Sequence, residues 1–206
     1  MAVRTPLSAV FLDKDGTLLV DDPYNVAPAR MQLERKARFA LRRLGALAVP
    51  LIVVTNQPGV ALGKFKHDAL LAVQRRLAEL FAENGARLSG FYYCPHHPEA
   101  VVPELGIACK CRKPLPGLLR QAAADHGLDL RRSWMVGDIL DDVEAGNRAG
   151  CRTILIDNGH ETLWARTPAT RMLRTANIVV PNLDVAARII VSRATSPRDA
   201  IVEHVK

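Results

Sequence analysis

A chain of 206 residues with 49% hydrophobic and 24% charged residues can bury one sizeable core, which excludes a low-complexity or disordered polymer. No apolar run approaches the length of a membrane span, and the first eight residues lack the apolar stretch of a secretory signal, so a cytoplasmic protein with no membrane partner is expected. The formal charge of +7 admits an anionic partner, but the arginines are scattered without interleaved aromatics, which argues against nucleic acid and for a solvated basic surface.

In chain order, the apolar run Val10, Phe11, Leu12 predicts a short buried strand, cut off by Asp13-Lys14-Asp15-Gly16-Thr17. Residues 21–28 are too rich in proline and aspartate for regular structure and suit a flap. Apolar residues at helical spacing predict helices over 31–44 and 67–84, closed by Gly45 and by Asn84-Gly85. Between them the β-branched run 51–54 predicts a second buried strand, leading into Thr55-Asn56-Gln57-Pro58-Gly59. A strand over 90–93 precedes a cysteine cluster. Helices over 115–126 and 141–149 alternate with strands over 134–136 and 153–156. A last strand and helix are expected over 178–180 and 185–191, and a frayed tail over 192–206.

This alternation predicts a single α/β domain over 1–206: a parallel sheet with helices on both faces. Asp13 and Thr55 are separated by room for a flap and one helix only, so no cap domain is expected. In open parallel sheets ligands lie beyond the carboxyl ends of the strands, which is where Asp13, Asp15, Thr55, Asn56 and Asp138 fall. Two carboxylates one residue apart repel, and a divalent cation with oxygen ligands is the simplest remedy.

Cys94, His96, Cys109 and Cys111 form a second constellation, a zinc loop over 94–111. In an intracellular chain this grouping reads as a metal site before disulfides. Three thiolates and one imidazole suit a closed, structural Zn²⁺ site; His97 is an alternative fourth ligand. Cys151 stands apart as a small core hydrophobe.

The chain resembles the haloacid dehalogenase-type phosphatases through four motifs: Asp13-Lys14-Asp15-Gly16-Thr17, Thr55-Asn56, Lys113, and the run from Gly137 to Gly146, which fits Gly-Asp-x-x-x-Asp-x-x-Ala-Gly residue for residue. The resemblance implies a three-layer Rossmann-like fold with a minimal cap, and a monomer. It implies Asp13 as nucleophile, Asp15 as general acid and base, and Mg²⁺ held by Asp13, the Asp15 carbonyl and Asp138. Thr55 and Asn56 then bind phosphate oxygens, Lys113 supplies positive charge, and Asp142 orients Lys113 or a metal-bound water. Asp141 is expected to be a solvated carboxylate at a helix start.

Within that family the zinc loop looks like those of D,D-heptose 1,7-bisphosphate phosphatases and histidinol-phosphate phosphatases. The twelve residues between His96 and Cys109 match the heptose type. By this resemblance His96 is the ligand, Arg112 binds the substrate beside Lys113, and the substrate is a small phosphorylated sugar whose product feeds nucleotide-activated heptose. Ile139 and Leu62 depart from the cations that heptose enzymes often carry there. Histidinol phosphate, another sugar phosphate or a DNA 3′-phosphate end are therefore alternative substrates. A non-catalytic zinc-loop binding protein is the contrasting class, and it has no need of the intact aspartates.

Overall fold

The computed structural model describes residues 7–159 and 171–194. Six strands form one parallel sheet: β1 (Val10–Leu12), β2 (Leu51–Asn56), β3 (Leu88–Cys94), β4 (Trp134–Gly137), β5 (Arg152–Ile156) and β6 (Ile178–Val180). Their spatial order is β3-β2-β1-β4-β5-β6. The chain first builds outward from β1 through β2 to β3, then returns to the other side of β1 with β4. The crevice beyond the ends of β1 and β4 is the point where winding reverses, the usual ligand position in such sheets.

Side-chain alternation along β1 sends Val10 and Leu12 to one face and Phe11 to the other, and all three are buried because both faces are covered. The Val10 and Leu12 face packs on α1 (Ala37–Gly45), α2 (Ala69–Glu83) and α5 (Leu183–Ala194). The Phe11 face packs on α3 (Gly117–His126) and, through Ala145, on α4 (Leu140–Ala149). Leu140 and Val143 of α4 also meet Leu155 of β5.

The helix expected over 31–44 begins only at Ala37. The preceding residues satisfy their backbone groups differently: Val20 N–H donates to the Gln32 carbonyl at 2.9 Å and Glu34 N–H to the Leu18 carbonyl at 2.8 Å. Residues on either side of the 21–31 segment thus pair across it, and Lys36, with φ of 72°, turns the chain into α1. The apolar spacing of Met31 and Leu33 served this pairing rather than a helix. The paired stem carries a flap, braced by Arg30 on Asp22 at 2.7 Å, whose Tyr24 ring lies 5.8 Å from the Lys64 ammonium. At the other end, α5 extends to Ala194, so the frayed tail does not start at 192; residues 195–206 lie outside those described.

Candidate active site and metal-ligating loop

Each short strand ends where its apolar run meets polar residues, and parallel packing gathers those ends. Asp13 follows β1 and Asp138 follows β4, with the Asp13 N–H donating to the Val136 carbonyl at 2.9 Å. Carboxylate oxygens of Asp13, Asp138 and Asp142 lie within 4.8 Å of one another, and all three side chains are buried. Into this cluster the Lys113 ammonium inserts, 2.5 Å from Asp13 Oδ1 and 2.5 Å from Asp142 Oδ1, with the Val54 carbonyl at 3.1 Å as third acceptor. Three carboxyl groups and one ammonium share this buried space.

Burial dominates the electrostatics. It pushes the Asp13 carboxyl up to about 7, against the pull of Lys113 and with the added repulsion of Asp142 and Asp15. Asp142 rises to about 6, again through burial first, with Lys113 opposing and Asp138 adding to the rise. For Lys113, burial by itself lowers the ammonium, but attraction to Asp13 and Asp142 outweighs it and the net shift is upward. The excess negative charge asks for a further cation. Carboxylate oxygens converging at this spacing are hard donors of the kind Mg²⁺ takes, so the donor set fits that ion. Both oxygens of Asp142 are engaged, Oδ1 by Lys113 and Oδ2 by the Ile139 N–H at 3.3 Å, whereas Lys113 holds Asp13 through Oδ1 and Thr17 holds Asp138 through Oδ1, so Asp13 and Asp138 are the carboxylates that fit the ion better.

Asp15, two residues beyond Asp13, is held from two sides. Its Oδ1 pairs with the buried Lys14 ammonium, and its Oδ2 accepts from Gln57 Nε2 at 3.1 Å. The same Gln57 nitrogen donates to Thr55 Oγ1 at 3.1 Å. Thr17 donates to Asp138 Oδ1 at 3.0 Å. Gln57 and Thr17 had no assigned role in the sequence, although period-two alternation at the end of β2 places Gln57 on the face of Thr55.

Asn56 differs from expectation. Its Nδ2 donates to the Lys113 carbonyl at 3.1 Å and its Oδ1 accepts from the Lys113 N–H at 3.0 Å, so the amide grips the main chain of Lys113 rather than pointing at a phosphate. Asp141 is likewise not simply solvated: Arg174 pairs with it at 2.8 Å while also binding Glu144 at 2.7 Å. Gly137 is required by close approach, since a Cβ there would sit 2.1 Å from Asp142 Oδ2.

The cysteine cluster forms where β3 ends. Cys94 Sγ lies 3.6 Å from Cys109 Sγ and 3.2 Å from Cys111 Sγ, and His96 Nδ1 lies 3.5 Å from Cys94 Sγ and 3.2 Å from Cys111 Sγ. These spacings approach the edge of a tetrahedron built on metal–sulfur bonds of about 2.3 Å, so the donor set fits Zn²⁺. His97 points elsewhere, its Nδ1 accepting from the Glu99 N–H at 3.2 Å. The loop is tied to the segment that follows β2 at two points and closed on itself at a third. Gln57 N–H donates to the Cys94 carbonyl, Val101 and Val102 N–H both donate to the Ala61 carbonyl, and Arg112 reaches the His96 carbonyl at 3.3 Å. Cys151 is buried in the Phe11-side core.

The HAD-hydrolase-like family profile matches residues 110–186. D-glycero-beta-D-manno-heptose-1,7-bisphosphate 7-phosphatase of Escherichia coli K12 is 38% identical over 160 residues, covering 77% of this chain and 83% of that protein. The enzyme of the same name from Yersinia pestis is 39% identical over 152 residues, with coverage of 73% and 81%. The chain belongs to the haloacid dehalogenase-like phosphatases. Solved structures agree: a HAD-like phosphatase from Mesorhizobium loti superposes with a TM-score of 0.77 at 35% identity, covering 93% of this chain and 90% of that one. D,D-heptose 1,7-bisphosphate phosphatase from B. bronchiseptica, complexed with magnesium and phosphate, superposes with a TM-score of 0.75 at 29% identity, covering 91% and 99%. As a haloacid dehalogenase-like phosphatase the protein is a phosphoric monoester hydrolase, and no helix among its described residues is long and apolar enough to cross a membrane.

Proposed function

We propose that this phosphatase removes the 7-phosphate of D-glycero-D-manno-heptose 1,7-bisphosphate through an aspartyl-phosphate, in the biosynthesis of nucleotide-activated heptose. The observation that carries the chemistry is the buried arrangement of Asp13, Asp138 and Asp142 around Lys113, with Asp15 tethered at its edge. The choice of sugar rests on relatives of that name at 38–39% identity over most of the chain.

In this reading the free Asp13 oxygen attacks phosphorus in line while the scissile P–O bond breaks, and Asp15 gives its proton to the departing sugar oxygen. Asp15 then takes a proton from water, whose oxygen attacks the same phosphorus and returns Asp13 as carboxylate with inorganic phosphate released. Gln57 and Lys14 aim the two Asp15 oxygens, so that residue is oriented before substrate arrives. Lys113 faces the negative charge of the transferring group, and Asp142 with the Asn56 amide keeps it there. Thr55 Oγ1 donates to the phosphate and Arg112 to the substrate beside Lys113. Mg²⁺, held by Asp13, Asp138 and the Asp15 carbonyl, supplies charge that offsets repulsion between the nucleophile and the phosphate. Zn²⁺ on Cys94, His96, Cys109 and Cys111 supplies rigidity to the loop that ends in Arg112 and Lys113.

The test is phosphate release with Mg²⁺ from the α and β anomers of the heptose bisphosphate, beside histidinol phosphate and fructose 1,6-bisphosphate. A preference of a hundredfold or more for one heptose anomer, about 2.7 kcal/mol of transition-state discrimination, is expected. Comparable slow release from all four discards the heptose assignment. Asp13→Asn is expected to abolish turnover with fold and zinc content unchanged, and persisting turnover overturns Asp13 as nucleophile.

A further inference from the structure

We infer that Gln57 is a positioning residue that sets the hydrogen-bond direction of two groups at once, the proton donor Asp15 and the phosphate-binding hydroxyl of Thr55, a role that rests on the reading of Asp15 as general acid. Gln57 lies just past the end of β2 and is only 5% exposed. Its main chain is anchored, the N–H donating to the Cys94 carbonyl at 2.8 Å. From that anchor a single atom, Nε2, donates to Asp15 Oδ2 at 3.1 Å and to Thr55 Oγ1 at 3.1 Å.

The count of hydrogens decides the direction of each contact. A carboxylate offers only acceptors, so the amide presents its nitrogen and not its oxygen to Asp15. An amide nitrogen carries two hydrogens, and here one goes to Asp15 and the other to Thr55. Thr55 Oγ1 therefore accepts from Gln57 and keeps its own hydrogen, whose contact within the protein is a long one, 3.4 Å to the Asn56 carbonyl. A phosphate oxygen is the stronger acceptor, because hydrogen bonds to ionised groups are shorter and about twice as strong as neutral ones. On Asp15 each carboxyl oxygen has two lone-pair directions. Gln57 takes one of them on Oδ2, while Lys14 engages Oδ1. The Asp15 side chain is 31% exposed, so packing alone does not fix its rotamer, whereas the buried Gln57 amide does. The remaining direction on Oδ2 is thus set before a leaving group arrives, which is what orientation contributes to a proton transfer.

The test compares esters whose leaving groups differ in their need for a proton. An alkoxide needs one on departure; 2,4-dinitrophenolate, a stable anion, does not. The full chain with Mg²⁺ is given 2,4-dinitrophenyl phosphate and the fastest of the four alkyl phosphates proposed as substrates, and kcat/KM is read because it covers formation of the phospho-enzyme and not the later step in which Asp15 acts as base. Asp15→Asn is expected to lose about a hundredfold more on the alkyl ester than on the aryl ester, and Gln57→Leu about tenfold more. Equal losses on both esters in Gln57→Leu, beside a selective loss in Asp15→Asn, overturn the role of Gln57 and leave the acid standing. Equal losses in Asp15→Asn overturn the acid and this inference with it. Should Gln57→Leu melt at lower temperature, Gln57→Glu keeps the size of the side chain and puts an acceptor where the donor was. It is expected to show the same selective loss and, because Thr55 then donates to the new carboxylate, to weaken inhibition by inorganic phosphate about tenfold. Unselective loss with unchanged phosphate inhibition in that variant overturns the proposal.

Discussion

At the scale of single residues, the site works by packing charges against one another under burial, and small changes in volume reach the chemistry. Gly137 is the clearest case. An alanine methyl would meet Asp142 Oδ2 at 2.1 Å, so Asp142 has to move and Lys113 loses one of its two carboxylates. Gly137→Ala is therefore expected to lower stability by about 1–3 kcal/mol, as overpacking does, and to reduce kcat more than KM. Thermal unfolding and steady-state kinetics check the two effects together. The part played by Gln57 is set by tertiary contact and not by local pattern. Its amide joins Thr55 to Asp15, a link that depends on where β1 lies beside β2. Asn56 shows the reverse: its place after a strand pointed to phosphate, while the fold turns its amide onto Lys113.

At the scale of elements, α1 and α5 pack side by side and are joined by the buried Asp184. It accepts from Arg43 at 2.8 Å across the helix interface and pairs with Arg188 on its own helix at 2.8 Å. Burial opposes ionisation there, but the hydrogen bonds and charges of Arg43 and Arg188 prevail and hold the carboxyl below its ordinary range. A folded-state value below the unfolded one stabilises the protein at neutral pH, and that contribution begins to fall near pH 4 and is lost as pH passes through the lower folded-state value. Asp184→Asn is expected to cost about 1–2 kcal/mol at pH 7, a figure kept low because the arginines are partly exposed, and the gap to wild type closes in acid. Denaturant unfolding at pH 7 and at stepwise lower pH measures both, the gap narrowing steadily below about pH 4. The zinc loop is the other element whose integrity is testable. Cys109→Ser removes one of the four donors and is expected to lower bound zinc and melting temperature together; unchanged metal content rules out this site.

At the scale of the whole molecule, the strand order makes the enzyme. Winding outward from β1 to β3 and then back to β4 brings Asp13 and Asp138 within reach although they are far apart in sequence. The same winding sets Lys113, which ends the zinc loop, under the end of β2 by way of the Val54 carbonyl. Loop and active site are thereby joined through Gln57, whose N–H donates to the Cys94 carbonyl at 2.8 Å while its side chain holds Asp15. Stripping zinc with a strong chelator is accordingly expected to reduce phosphatase turnover even when Mg²⁺ is restored in excess, and re-addition of Zn²⁺ to recover it. Turnover that is indifferent to zinc removal severs that link.

Much was legible in the sequence because it depends on local pattern alone. Apolar runs of three or four residues ending before Asp13, Thr55 and Asp138 are buried strands meeting solvent, and three thiols with an imidazole form a donor set before any fold is known. The family motifs depend on spacing, which sequence carries in full. What the sequence left open was every property that depends on distant residues sharing one volume. Those include the pairing that stops a helix from forming over 31–36, the grip of Asn56 on Lys113, the Arg174 partner of Asp141, and the approach of Arg152 and Arg193 to Trp134. Backbone groups and buried charges find partners wherever the fold supplies them, and only the tertiary structure decides which partner is near.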